Sequence, residues 1–172
     1  KLKNRGMASP DHVIRTKGAP LYIKNIADYQ DQKVLKKHIE GFSSRYIKYF
    51  NRQSKRADEK KSILTADPKH GWLRSIGVIG VGKNAKEASA TADLAEQNLH
   101  IRIISEKFGG FFPIKEKDMF DCEYWSLEQA KLGKGKPPAF EGKVVIITGG
   151  AGTIGLETAK AFSRLGANIL LV

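Results

Sequence analysis

The chain has 172 residues, with 30 Lys plus Arg against 18 Asp plus Glu and a formal net charge of +12. Hydrophobic residues make up 41% and the mean hydropathy is −0.38. These values exclude a helical membrane protein and a wholly disordered chain, and no apolar run nears the ~20 residues that a membrane-crossing helix needs. A single cysteine, Cys122, excludes a disulfide framework and a Cys-rich zinc module and suits a reducing, cytoplasmic setting.

The charge is uneven. Residues 1–76 hold 18 basic and 7 acidic residues, a net of +11, whereas 77–172 hold 12 and 11, a net of +1. A basic half invites an anionic partner, so a nucleic-acid-binding module on 1–76 is one reading. Against it, the basic residues are mostly Lys, scattered, and form no recognition motif.

In chain order, residues 1–30 read as polar and irregular, with Pro10, Gly18 and Pro20 as breakers and one short apolar segment, Leu21 to Ile23. Residues 31–55 predict a helix, because Val34, Leu35, His38, Ile39, Phe42, Tyr46, Tyr49 and Phe50 recur at spacings of three and four. Its aromatic face reads as core or interdomain contact rather than a base-stacking surface. Residues 52–61 predict a charged loop or fraying helix end, and 72–81 a strand. A turn at Gly80, Gly82 and Asn84 then leads into the longest helix, 84–107, with Ala88, Thr91, Ala92, Ala95, Leu99, Arg102 and Ile103 along one side and Gly109 and Gly110 ending it. FFPIKEKDMFD predicts a loop and 121–132 a short helix. GKGKPPAFEG has a linker's composition. The domain organisation expected is therefore 1–30 as a tail, 31–132 as an α/β connector, 133–141 as a linker and 142–172 as the start of a further domain.

Residues 143–172 carry the most informative pattern: an apolar strand KVVIIT, a turn GGAGTIG, a helix and a second apolar run, NILLV. Gly150, Gly152 and Gly155 fit G-x-G-x-x-G in the strand–turn–helix context that gives that pattern meaning. The glycines permit a tight turn, close approach of a pyrophosphate to the backbone and close helix–strand packing. The helix N-terminus offers unpaired amides and partial positive charge to phosphates. The acidic residue that completes such a fingerprint, about 20 positions on, falls at or just past Val172, so the pattern leaves NAD and NADP open. Lys1 in place of an initiator Met, and a lone βαβ unit at the other end, lead us to expect a piece of a longer protein.

FEGKVVIITGGAGTIGLETAKAFSRLGANILLV resembles the opening of a short-chain dehydrogenase/reductase, with Thr148, Gly149, Ile154 and Gly155 as its most typical residues. The usual T-G-x-x-x-G-x-G would place glycine at 153, where this chain has Thr153. The spacing T-G-x-x-G-x-x-G, through Gly152, resembles the extended branch instead. Upstream, PDHVIRTKGAPL, IGVIGVGKNAKEASATADLAEQNL and MFDCEYWSLEQAKL resemble the bifunctional class II aldolase/short-chain dehydrogenase family, whose described members are rhamnulose-1-phosphate aldolase/lactaldehyde dehydrogenases. The resemblance covers 9–172, and EYWSLEQAKL is its most specific part.

That resemblance implies an α/β fold with a Rossmann-type βαβ unit at the C-terminal end. It implies NAD or NADP bound by Thr148, Gly149, Gly150, Gly152, Thr153, Ile154 and Gly155, and zinc only in an aldolase half outside this chain. It further implies hydride transfer to or from an alcohol or aldehyde, a sugar-derived or aldehyde substrate such as lactaldehyde, and a homo-oligomer at full length. The dehydrogenases' serine and Tyr-x-x-x-Lys pair are expected downstream. Tyr29 and Lys33 match the spacing but precede the glycines. The chain alone is thus expected to be inactive, with weak or absent dinucleotide binding. A connector without activity of its own is a further reading of residues 10–135.

Two other patterns resolve to plainer readings. GVIGVGKN nearly fits the phosphate loop G-x-x-x-x-G-K-[ST], but Asn84 stands where a Mg²⁺-binding hydroxyl belongs. A strand-to-helix turn capped by Asn84 is the reading adopted. His12, His38, His70 and His100 lie 26 to 32 residues apart, outside metal-ligand spacing. Cys122, between Asp121 and Glu123, reads as structural.

Overall fold

The computed structural model describes residues 6–126, 129 and 138–172. Residues 6–30 are not irregular as expected. Helix α1 (Pro10–Thr16) begins at Ser9, whose hydroxyl accepts from the His12 amide at 3.4 Å, with Pro10 in the first turn. Proline there starts a helix, because its missing N–H would be unpaired anyway. Strand β1 (Leu21–Ile23) and helix α2 (Ile26–Gln30) follow. Helix α3 (Gln32–Ser54) matches the periodicity. Asp31 Oδ1 caps it by accepting from the amides of Lys33 at 2.8 Å and Val34 at 3.2 Å.

The strand expected over 72–81 is two strands, β2 (His70–Leu73) and β3 (Gly77–Gly80), paired antiparallel with His70 opposite Gly80 and Leu73 opposite Gly77. Positive φ at Ser75 (67°) and Gly77 (110°) reverses the chain between them. β1 joins the other edge of β2 in parallel, completing the order β1-β2-β3.

Helix α4 (Ala85–Ser105) starts at Asn84, whose Oδ1 accepts from the Glu87 amide at 2.9 Å, and its last turn runs into Gly109 at φ +103°. Gly80 and Gly82 serve this packing. A Cβ on Gly80 would lie 2.1 Å from the Ala88 carbonyl oxygen, and one on Gly82 2.4 Å from the Ala88 nitrogen. The residue that resembled a phosphate-loop lysine, Lys83, instead pairs with Glu141 at 3.2 Å, and its carbonyl accepts from Asn168 Nδ2 at 3.0 Å. The buried face of α4 is Thr91, Ala95, Asn98 and Arg102, whereas Ile103 is exposed. Thr91, Ala95 and Arg102 are on the predicted side, and backbone holds the two long polar members: the Ala8 amide donates to Asn98 Oδ1 at 2.9 Å, and the Arg102 guanidinium donates to the Gly6 carbonyl.

Helix α5 (Glu116–Glu123) begins inside the stretch expected to be a loop, five residues before the predicted helix. The remainder of that predicted helix at 127, 128 and 130–132, and residues 133–137 of the predicted linker, lie outside the described residues. The core joins Leu21 and Ile23 of β1 to Phe42, Tyr46, Tyr49 and Phe50 of α3, and to Phe120 and Tyr124, whose rings stack at 4.5 Å. The aromatic face of α3 is therefore core. Beyond it stands a separate parallel βαβ unit: β4 (Val144–Ile147), α6 (Thr153–Arg164) and β5 (Asn168–Leu171), in register from Val144 opposite Asn168 to Ile147 opposite Leu171. Phe140 packs edge-on against Phe162 of α6 at 5.0 Å. The chain is α/β throughout, and no helix of the described residues is long and apolar enough to cross a membrane.

His70 gives the fold a pH dependence. It is 1% exposed, its Nδ1–H donates to the Thr16 carbonyl at 2.9 Å, and burial lowers its pKa to about 4. The unfolded chain binds this proton from about pH 6.5 and the folded chain only from about pH 4. Stability is thus full above pH 6.5 and falls as pH drops towards 4, by about 3 kcal/mol from this group. Denaturant titrations at pH 7 and pH 4 should show that loss in the native chain. His70→Asn, which retains a donor for Thr16, should lose at least half of it, and an unchanged acid sensitivity would refute the assignment.

Candidate nucleotide-binding turn

The turn leaves the carboxyl end of β4 and enters α6. Gly149 makes the reversal, at φ +66°, and its amide and that of Gly150 donate to the Val172 carbonyl at 2.8 and 3.4 Å. The left-handed conformation sits at Gly149, one residue ahead of the first glycine of G-x-G-x-x-G. Gly150 has a different use: a Cβ there would lie 2.7 Å from Leu171 Cδ2, so the glycine lets β5 close on the turn. The Gly152 amide donates to the Gly149 carbonyl at 3.0 Å, and Gly152 precedes α6 with no side-chain cap. Gly155 lies beneath, where a Cβ would be 2.3 Å from the Gly149 oxygen and 2.8 Å from Gly150 Cα.

Six of the seven residues singled out from the sequence, Thr148, Gly149, Gly152, Thr153, Ile154 and Gly155, line one open depression of about 540 Å³ with Ile147 and Thr158. Gly150 does not line it. Backbone dominates the surface: Thr153 starts the helix, Ile154 is 85% exposed, and Thr158 turns its hydroxyl back to the Ile154 carbonyl at 2.8 Å. The first-turn amides of α6 therefore face the depression without a side-chain acceptor in the cap position. An anion seated there gains hydrogen bonds and the favourable end of the helix dipole. The residues fit a phosphate group.

The upstream unit contains a buried polar cluster that pattern reading missed. Glu123, 1% exposed, accepts from the Tyr46 hydroxyl at 2.7 Å and the Tyr49 hydroxyl at 3.1 Å, and Tyr46 also meets the Tyr124 hydroxyl at 2.7 Å. Burial raises the Glu123 pKa, against the opposing pull of the Tyr46 hydrogen bond, the Lys17 charge and the Tyr49 hydrogen bond. Burial likewise raises both tyrosines, and the neighbouring carboxylate adds to the rise. The sequence signal was a carboxylate set among the apolar and aromatic residues Met119, Phe120, Tyr124 and Trp125. Tyr29 and Lys33 form no such centre: the Tyr29 hydroxyl donates to the Arg74 carbonyl at 3.0 Å.

Residues 1–132 match the family described as "Aldolase class II, second domain". The chain belongs to that family. Over 175 aligned residues, covering 99% of the chain, it is 31% identical to the "Uncharacterized oxidoreductase YuxG" of Bacillus subtilis (strain 168). Over 70 residues, 38% of the chain, it is 36% identical to "Short-chain dehydrogenase reductase 4" of Arabidopsis thaliana. The chain spans 25% and 23% of the length of these two relatives. No solved structure matches it significantly. An aldolase second domain joined to a dehydrogenase-like segment is the organisation that the upstream and downstream motifs resemble.

Class II aldolases raise the question of a zinc site. In this second domain, no three His, Cys, Asp or Glu side chains converge among the described residues. Three histidines are otherwise engaged: His12 Nδ1 with Ser9 Oγ at 2.7 Å, His38 Nε2 with Asp28 Oδ2 at 3.0 Å, and His70 Nδ1 with Thr16. These residues do not form a zinc donor set.

Proposed function

We propose that this chain is the connecting region and opening βαβ unit of an NAD- or NADP-dependent oxidoreductase of the short-chain dehydrogenase type, joined to a class II aldolase. The glycine turn binds the dinucleotide pyrophosphate through the first-turn amides of Thr153, Ile154 and Gly155. The βαβ unit is the start of a Rossmann domain. In the complete enzyme a hydride passes between nicotinamide and the carbon of an alcohol or aldehyde, with lactaldehyde as the candidate substrate, in a cytoplasmic homo-oligomer. Residues 6–126 hold the two activities together and contribute no hydride chemistry of their own.

The observation that carries this reading is the geometry at the end of β4: a parallel βαβ unit, an uncapped helix start, and a Gly155 that a side chain would force out of the turn. A dinucleotide site of the G-x-G-x-x-G type combines all three.

Amide chemical shifts test it. Inorganic pyrophosphate, NAD and NADP, titrated into the chain, should move the amides of residues 149–155 with a Kd no tighter than about 1 mM. Gly155→Val should abolish those shifts while leaving the amides of α3 and α4 in place. Amides of the turn that stay still at roughly 20 mM ligand, or shifts that survive Gly155→Val, would defeat the proposal.

A further inference from the structure

A second cavity, of about 460 Å³, lies in the upstream unit between the end of α1, the face of α3 and the start of α5. Its volume falls within the range of small-molecule sites. The walls are mixed. Pro20, Phe42, Ile114 and Met119 supply an apolar body, and Lys17, Arg45 and Arg52 supply cations.

These cations differ in what already holds them. Arg52 is neutralised by Glu116 through a two-pronged contact, Nη2 at 2.7 and 2.9 Å from the two carboxylate oxygens. Arg45 is exposed and has no hydrogen-bond or ion-pair partner among the described residues. Lys17 is only 4% exposed. Its Nζ donates to the Thr65 carbonyl at 2.5 Å and lies 3.3 Å above the centre of the Tyr46 ring, leaving a further N–H for the cavity that it lines.

The backbone marks Lys17 as well. At φ 64° and ψ 176° it occupies a region that only glycine ordinarily adopts, although Gly18 stands one position away. The chain tolerates this conformation while placing a lysine side chain under the sheet edge, beside the Tyr46–Glu123 cluster. Burial lowers the Lys17 amine to about 8, Glu123 and Asp67 opposing the fall and Lys69 adding to it.

We propose that this cavity binds a small organic anion, a phosphate ester or carboxylate with an apolar body, whose charged group is held by Arg45 and Lys17. The apolar body lies along Phe42 and Ile114, and Tyr46 and Glu123 hold the lysine from behind. The site is independent of the dinucleotide turn and belongs to the aldolase second domain.

Pyridoxal 5′-phosphate is a probe suited to both ends of the site. Its phosphate reports the anion requirement. Its aldehyde condenses with a neutral amine to an imine with loss of water, and borohydride then reduces the imine to a stable secondary amine that peptide mapping locates. In the chain at pH 8, Lys17 should be modified about tenfold faster by pyridoxal 5′-phosphate than by pyridoxal, which lacks the phosphate. Arg45→Gln should remove that advantage. Arg45 is exposed and has no partner among the described residues, so the variant keeps the fold, which a thermal melt checks. Modification spread over exposed lysines such as Lys36 and Lys48 with Lys17 spared would overturn the proposal. So would equal rates for the two aldehydes, or an advantage that persists in Arg45→Gln.

Discussion

Glu123→Leu lowers the stability of the chain by about 4 kcal/mol, while Glu123→Gln costs roughly 1 kcal/mol. The carboxyl group is 1% exposed and is the acceptor for two tyrosine hydroxyls from the facing helix, at 2.7 and 3.1 Å. Leucine matches its size but leaves the Tyr49 hydroxyl buried without its acceptor, reduces Tyr46 to its contact with Tyr124, and takes from Lys17 the opposing charge that acts on it most strongly. A buried polar group that loses its partner bears its full desolvation cost. Glutamine keeps a carbonyl oxygen within reach of one tyrosine. Urea unfolding followed by tyrosine fluorescence measures both variants. Equal midpoints for Leu and Gln would mean that the hydrogen bonds contribute nothing beyond packing.

The second large effect comes from a glycine. Gly80→Val destabilises by about 4 kcal/mol, more than ordinary overpacking, because the obstacles are backbone. A Cβ at this position lies 2.1 Å from the Ala88 oxygen and 2.5 Å from the Ala92 nitrogen, both fixed within α4. Neither can rotate away as a side chain tip does, so the whole helix must retreat from β3. The retreat also weakens the holds of Asn98 on Ala8 and of Arg102 on Gly6. Gly77→Ala serves as the control. A Cβ at Gly77 meets nothing within 4 Å, and only its φ of +110° resists substitution. Thermal melts should place Gly80→Val well below Gly77→Ala. The reverse order would show that α4 is not seated against β3 as described.

Both positions bear on how much the sequence reveals. Features that depend on neighbours a few residues apart were legible. The cap at Asn84, the length of α3, the glycine end of α4 and the strand–turn–helix around Gly149 to Gly155 all follow from local backbone chemistry. The misreadings were also local, but turned on position. Pro10 starts a helix when Ser9 precedes it as a cap, and the apolar run after Trp72 splits because Ser75 and Gly77 turn left-handed. Apolar periodicity placed Thr91, Ala95 and Arg102 correctly on the buried face of α4 but gave Leu99 where Asn98 is buried. Asn98 is drawn inward by the Ala8 amide, 90 positions earlier, and no hydropathy pattern contains that information.

The candidate site divides in the same way. The glycine turn was legible because a missing side chain is visible in a sequence, and the structure brings six of the seven residues singled out there to one depression. Tertiary structure then reassigned the work within it, giving the turn to Gly149 and the contact with β5 to Gly150. The second cavity was invisible. Lys17, Arg45 and Glu123 come from three segments, and Glu123 reaches its tyrosines across 77 and 74 residues. By itself, the sequence determined the βαβ unit, the glycine cradle and an excess of positive charge over residues 1–76. Only the tertiary structure decided which of those charges are solvated and which, like Lys17, are buried. The physical reason is range: caps, turns and periodicity act over a few bonds, whereas the burial of a charge depends on every element that packs around it.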